Sequence, residues 1–150
     1  MIQVKKAFDS YKEKIRSTGL IHLKDGESIT DYIDFFSVHL PYRKMGEKAL
    51  IYLLRHEWRH LPRWKDVIKE IEEPLQKDAR GTIESVLSDT EFMKADENFR
   101  RAFAKSSFYH EVFEKKMASS LEASAIIGNL YTASMYMGFR SLLEFEYRKK

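Results

Sequence analysis

A chain of 150 residues with 43% hydrophobic and 13% aromatic content is long and apolar enough to bury one core of its own. It contains no cysteine, which excludes disulfides, cysteine-ligated zinc and a cysteine nucleophile from these residues. The formal net charge of +3 is too small to indicate nucleic-acid binding, and no apolar run approaches the roughly 20 residues of a membrane span. We therefore expect a soluble, cytoplasmic protein with neither nucleic acid nor membrane as a partner.

The N-terminal part contains one predicted helix and one predicted strand. Apolar residues recur at helical spacing over residues 4–15, and the polar cluster at 17–19 ends that pattern. After a turn signal at 25–26, the β-branched and aromatic run 32–38 leads to Pro41. This run is apolar on both faces, which favours a strand between helical layers in an α/β fold.

The central part is predicted to be helical within a single domain. Residues 44–59 form an amphipathic pattern in which Lys44 and Lys48 lie opposite the apolar arc. A second helix is predicted over 64–71, because Pro74 follows it closely. The polar stretch 77–81 resembles a linker but is too short to separate two domains, so we predict one domain over residues 1–150.

The C-terminal part divides into a charged and an almost uncharged segment. From Thr90 onward, phenylalanines recur in a charged background, which predicts amphipathic helices with a break near Ser106. The region of roughly 88–120 resembles a peripheral helical insertion. Residues 126–145 are apolar nearly all round and carry regularly spaced small residues, which is typical of a helix buried on several sides.

Residues 56–60 match the zinc-protease pattern HExxH, with His56 and His60 as ligands and Glu57 as the base. A catalytic zinc also needs a third ligand, but Arg63 and Asp66 stand where the metzincin pattern requires glycine and histidine. Histidines packed near a helix end are therefore favoured over a zinc hydrolase, and we assign no metal ligand.

Two further segments contain polar residues in settings where functional groups occur. His39 follows the predicted buried strand and precedes a helix, a position at which α/β sheets often place catalytic groups, although a structural histidine is the commoner outcome. Lys44 and Lys48, one turn apart, are able to hold phosphate groups or to form an ordinary solvated face. Asn129 and Tyr131 introduce polar groups into an apolar helix, where their partners are either structural or a substrate carbonyl.

These segments resemble the hydroxymethylglutaryl-CoA synthase family. Residues 39–49 have the sequence HLPYRKMGEKA, which is similar to the family's histidine motif, and residues 128–134 have the sequence GNLYTAS, which is similar to its asparagine motif. The flanking stretches DGES at 25–28 and SLLE at 141–144 occur in the right order. The resemblance covers nearly the whole chain and implies the C-terminal half of a thiolase-like α/β fold, here predominantly helical with few strands.

The resemblance implies an acyltransferase that condenses acetyl-CoA with acetoacetyl-CoA in the mevalonate pathway of isoprenoid biosynthesis. His39 is then the catalytic histidine that polarises the acetoacetyl group. Asn129 and Tyr131 bind substrate, and Lys44 and Lys48 meet the CoA moiety. CoA thioesters act as substrates, and no tightly bound cofactor is expected.

The family's cysteine nucleophile and its glutamate acid/base belong to an N-terminal half that these 150 residues lack. We therefore expect the chain alone to be inactive, as a fragment, a relic or one subunit of a split enzyme completed by an N-terminal half. A homodimer is a further expectation, because the family's enzymes are typically dimers. The alternatives are a non-enzymatic CoA-binding helical module and a portion of a related synthase that performs β-branching on carrier-bound polyketides.

Overall fold

A computed structural model describes residues 2–38, 43–72, 89–128 and 131–148 of the chain. The described residues form eight helices and no strand: α1 (Ile2–Thr18), α2 (Ile29–Tyr32), α3 (Arg43–Trp58), α4 (Trp64–Ile71), α5 (Thr90–Phe103), α6 (Ser107–Lys116), α7 (Ala118–Ile127) and α8 (Ala133–Arg148). This architecture agrees with a predominantly helical C-terminal portion of a thiolase-like fold. No helix within the described ranges combines the length and the apolar character needed to cross a membrane.

The predicted helices over 4–15, 44–59 and 64–71 are confirmed as α1, α3 and α4, and the predicted break separates α5 from α6. Side-chain caps explain where two of them begin. Asp89 accepts a hydrogen bond from the backbone N–H of Phe92 at the start of α5, and Ser106 accepts one from Tyr109 at the start of α6. Each cap satisfies an amide that would otherwise lack a helical partner. The predicted linker at 77–81 lies outside the described residues.

The main core surrounds α3. Leu50, Leu54 and Trp58 pack there against Phe99 and Phe103 of α5, together with buried residues of α4, α6 and α7: Val67, Ile71, Tyr109, Phe113 and Leu121. The described part of the segment 88–120 therefore supplies several of these core side chains, and its assignment as a helical insertion stays a prediction.

A smaller core joins α1 to the other side of α3. Phe8 and Ile15 of α1 pack against Leu53 and against Ile29 of α2. Close by, the Lys12 ammonium forms a 2.6 Å ion pair with Glu57 of α3. Phe8 and Ile15 of the face predicted for α1 are thus buried, whereas Tyr11 is 43% exposed.

The predicted strand over 32–38 is wrong. Tyr32 ends the short helix α2, and residues 33–38 are irregular. Their backbone groups bond to helices: Phe36 N–H donates to the Lys116 carbonyl at 2.7 Å, and the Phe36 carbonyl accepts from the Ser120 hydroxyl at 2.7 Å. No described strand lies beside the run to form a ladder. Ile33, Phe36 and Val38 are half-buried against the two cores, whereas Tyr32 and Phe35 are each 39% exposed.

The almost uncharged C-terminal segment forms a helical hairpin instead of one helix. Gly128 ends α7 with a φ of +82°, and α8 returns along α7 with Ser141 donating to the Ser119 carbonyl at 2.7 Å. A Cβ built on Gly138 would lie 3.1 Å from the Ser120 carbonyl oxygen, so glycine permits this close approach.

The prediction that this segment is buried on several sides is wrong for the described structure, because α8 buries only one face. Its small residues and Leu142 face α7, whereas large apolar side chains of the opposite face are exposed: Met135, Tyr136, Phe139, Leu143 and Tyr147. An apolar face of this extent is typical of a surface that contacts further polypeptide.

Candidate functional site

The two motifs are described only in part: residues 39–42 and 129–130, which include His39 and Asn129, lie outside the described residues. The histidine segment is bounded by Val38 and Arg43, and the asparagine segment by Gly128 and Tyr131. The structure therefore bears on the site through the contacts of the described residues on either side of these segments.

The flank that precedes the histidine segment contacts α6, α7 and α8, and the flank that follows it is the start of α3. On one side, Phe36 bonds to Lys116 and Ser120, and the Ser37 hydroxyl lies 3.3 Å from the position of a Cβ on Gly138. On the other side, α3 begins at Arg43.

The Arg43 side chain connects α3 with α6 and α7. Its guanidinium lies over the ring of Phe113 at 5.4 Å, pairs with Glu47 at 3.0 Å and approaches Glu122 of α7 to within 3.9 Å. These contacts orient the first turn of α3, which directly follows the histidine segment in the sequence.

The flanks of the asparagine segment lie at the C-terminal end of α7. Gly128 donates its N–H to the Ser124 carbonyl and closes the last turn of the helix. Tyr131 has a φ of +50°, which is unusual for a residue with a side chain, and its side chain is 78% exposed. A left-handed backbone at a non-glycine residue costs about 1 kcal/mol or more and is enriched at functional sites.

Helix α7 links the two sets of flanks. Arg43 reaches it at Glu122, and α7 ends at Ile127, five residues later. At 1.5 Å per residue, that separation is roughly 8 Å along the helix axis. The described ends of the two motif segments therefore both approach α7, at points roughly 8 Å apart along its axis, although they are about 90 residues apart in the sequence.

Lys44 and Lys48 lie on the first two turns of α3, and both are exposed. Among the described residues, neither ammonium takes part in an ion pair, in contrast to Arg43 beside them. A helix N-terminus carries partial positive charge from its free N–H groups, so this end of α3 presents a locally positive surface. Such a surface suits the phosphate groups of a nucleotide.

The side chains of the HExxH pattern have other partners. Glu57 pairs with Lys12 and accepts a 3.3 Å hydrogen bond from the Ser28 hydroxyl, while His60 accepts a hydrogen bond from the Arg59 side chain. Burial lowers the pKa of His56, whose Nε2 lies 3.7 Å from an Asp9 oxygen. Within the described ranges, no group of three such side chains is arranged to hold a metal ion. These contacts join α1 and α2 to α3.

Sequence reasoning missed helix α2 and the polar contacts around it. Ser28 and Asp31 form a capping box, a pattern that the spacing of a serine and an acidic residue three positions later could have revealed. Lys116 and Ser120 gave no such signal, because their partners in residues 30–36 lie more than 80 positions away.

Comparison with known proteins adds to this geometry. The family described as "Hydroxymethylglutaryl-coenzyme A synthase C terminal" matches residues 1–150. The chain is 28% identical over 141 residues to the hydroxymethylglutaryl-CoA synthase of Saccharomyces cerevisiae, covering 92% of this chain and 26% of that protein. It is 30% identical over 139 residues to the cytoplasmic synthase of Mus musculus, covering 92% of this chain and 24% of that protein.

The similarity extends to a relative from another cellular compartment. The mitochondrial hydroxymethylglutaryl-CoA synthase of Homo sapiens is 28% identical over 138 residues, covering 92% of this chain and 25% of that protein. The chain thus spans about a quarter of the length of the curated relatives that it matches. No solved structure gave a significant match.

Proposed function

This chain belongs to the hydroxymethylglutaryl-CoA synthase family, an acyltransferase family, and on that premise we propose that it supplies the C-terminal part of a site that condenses acetyl-CoA with acetoacetyl-CoA. The observation that supports a shared site is the approach of both motif flanks to α7, at points roughly 8 Å apart along the helix. Two segments so distant in sequence need a common scaffold if they are to meet one substrate.

In this proposal, His39 donates a hydrogen bond to the acetoacetyl carbonyl that the carbanion attacks. Negative charge develops on that oxygen only as the new carbon–carbon bond forms. A donor placed there stabilises the transition state more than the bound substrate, which is the condition for raising kcat. Asn129 and Tyr131 orient the acyl group from the α7–α8 connection.

Lys44 and Lys48 bind the phosphate groups of CoA in the same proposal. Their exposure and the positive N-terminal end of α3 support this role. CoA thioesters are the substrates, and no tightly bound cofactor is required. The product, hydroxymethylglutaryl-CoA, would enter the mevalonate pathway.

The cysteine that carries the acetyl group must be supplied by other residues, since these 150 contain none, and in this proposal the glutamate acid/base comes from the same source. We propose that the polypeptide bearing them covers the exposed apolar face of α8. The extent of that face supports this contact, because large apolar side chains such as Tyr136 and Phe139 are solvated in the described structure.

The proposal is tested by replacing the matched segment of the yeast synthase with this chain and measuring CoA release from acetyl-CoA and acetoacetyl-CoA. We expect condensation by the chimera and a loss of about 100-fold or more in kcat when His39→Ala removes the donor. His22→Ala is the matched control, because His22 is exposed and lies in the loop after α1. Equal activity of the His39→Ala and parent chimeras would refute the assigned role.

The same chimera separates the alternatives. Turnover with an acetoacetyl group on a carrier protein, but not on CoA, would identify a β-branching synthase. Thermal stabilisation of the 150-residue chain by CoA, weakened in a Lys44→Ala/Lys48→Ala variant, combined with an inactive chimera, would identify a binding module that has lost the chemistry.

A further inference from the structure

We propose that Lys116 and Ser120 are positioning residues for His39: they fix the backbone that leads into it. The inference rests on the proposed function for the role of His39, but the contacts that carry it belong to residues 30–38 and to helices α6 and α7. Neither residue belongs to the two sequence motifs.

The ammonium of Lys116 is fully engaged by backbone carbonyls. It donates to Thr30 at 2.8 Å, to Asp31 at 3.2 Å and to Ile33 at 2.7 Å. These three acceptors match the three N–H donors of an ammonium group. They include carbonyls at the C-terminal end of α2 that have no helical partner, so the cation caps this helix and fixes the direction in which the chain leaves it.

The next contacts hold the irregular segment itself. Phe36 donates its N–H to the Lys116 carbonyl at 2.7 Å, and its own carbonyl accepts from the Ser120 hydroxyl at 2.7 Å. The backbone N–H and carbonyl of Phe36 thereby both have partners: Lys116 at the end of α6 and Ser120 near the start of α7. Ser37 then lies against Gly138 of α8.

These contacts replace the ladder that a strand would have used. A strand receives its position from neighbouring strands through repeated backbone hydrogen bonds, whereas residues 33–38 have only the bonds from Lys116 and Ser120 among the described contacts. His39 follows within three residues of Phe36 in the covalent chain. A displacement of Phe36 is consequently passed to His39, and a shift of about 1 Å at a catalytic group can cost up to 100-fold in rate.

The test follows the imidazole signals of His39 by NMR in the complete 150-residue chain, assigned with a His39→Gln variant. We expect Lys116→Met and Ser120→Ala each to move and broaden the His39 signals while the signals of His110, which is exposed near the start of α6, stay unchanged. The matched controls are Lys115→Met, which removes an exposed neighbouring ammonium paired with Glu111, and Ser141→Ala, which removes a buried hydroxyl bonded within the α7–α8 hairpin. Both controls should leave the His39 signals in place.

His39 signals that coincide with those of the parent chain in folded Lys116→Met and Ser120→Ala variants would overturn the proposal. Ser120→Ala removes a single oxygen and keeps the test decisive if Lys116→Met does not fold. In the active chimera, the same two variants should lower kcat by about 10-fold or more with a smaller effect on KM. A chimera that is inactive with the parent chain would refute the proposed function, while the NMR result would still decide the positioning role.

Discussion

The buried hydroxyl of Tyr109 allows a counter-intuitive prediction, namely that its removal stabilises the protein. The Tyr109 ring lies in the main core beside Phe103 and Phe113, and only 4% of the residue is exposed. Within the described part of the chain, its hydroxyl oxygen is shielded from solvent and has no hydrogen-bond partner. Tyr109→Phe should therefore relieve a cost rather than break a contact.

The expected magnitude follows from the free energy of burying a polar group without a partner. That cost is about 1–3 kcal/mol, and the small void left by the oxygen offsets part of the gain through lost dispersion contacts. We expect the free energy of unfolding to rise by about 1 kcal/mol, equivalent to roughly 2–4 °C in Tm for a chain of this size.

Alkaline pH provides a second measurement on the same group. Burial raises the pKa of Tyr109 above the ordinary value of 10.0, so above pH 10 the unfolded chain releases a proton that the folded chain keeps. The wild-type protein must then lose stability as pH rises, and Tyr109→Phe does not share this loss. The advantage of the variant should grow above pH 10.

Urea denaturation at neutral pH and above pH 10 measures both effects, with an unchanged m-value required. Tyr136→Phe is the matched control, because the Tyr136 side chain is exposed on α8 and its change should stay within about 0.5 kcal/mol. A lower urea midpoint for Tyr109→Phe would refute the reasoning, since it would mean that the hydroxyl forms a stabilising contact.

Two further predictions concern charges that join the helices. Asp96 binds the nearly buried guanidinium of Arg55 at 2.8 Å, so Asp96→Ala should lower the free energy of unfolding, measured in urea, by about 2–4 kcal/mol. Glu97→Ala, which breaks an exposed pair with Arg101, should change it by less than about 0.5 kcal/mol. Similar losses in the two variants would contradict this assignment. Burial, and to a lesser degree the positive charge of Lys12, lowers the pKa of His56. The neutral imidazole therefore stabilises the fold fully above pH 6.5, and this stabilisation is lost as pH falls below that value. His56→Gln should flatten the dependence of the urea midpoint on pH between about pH 7.5 and pH 5.5, and an unchanged slope would count against the burial of this imidazole.

The sequence alone was sufficient for most of the helices and for the family. Apolar residues at helical spacing predicted α1 and α3, and Pro74 predicted the end of α4, because the period of a helix and the effect of a proline are local properties of the chain. The missing third ligand argued against zinc at the HExxH pattern, and the described contacts of Glu57 with Lys12 and Ser28 supply structural partners instead. The predicted residues His39 and Asn129 remain predictions.

Only the tertiary structure decided how the apolar segments are used. The run 32–38 has the composition of a strand, yet its backbone bonds go to Lys116 and Ser120, more than 80 residues away. The segment 126–145 has the composition of a buried helix, yet in the described structure α8 leaves one apolar face exposed. Composition indicates that a segment is apolar, but whether it is covered, and by which groups, depends on long-range packing, which a local pattern does not encode.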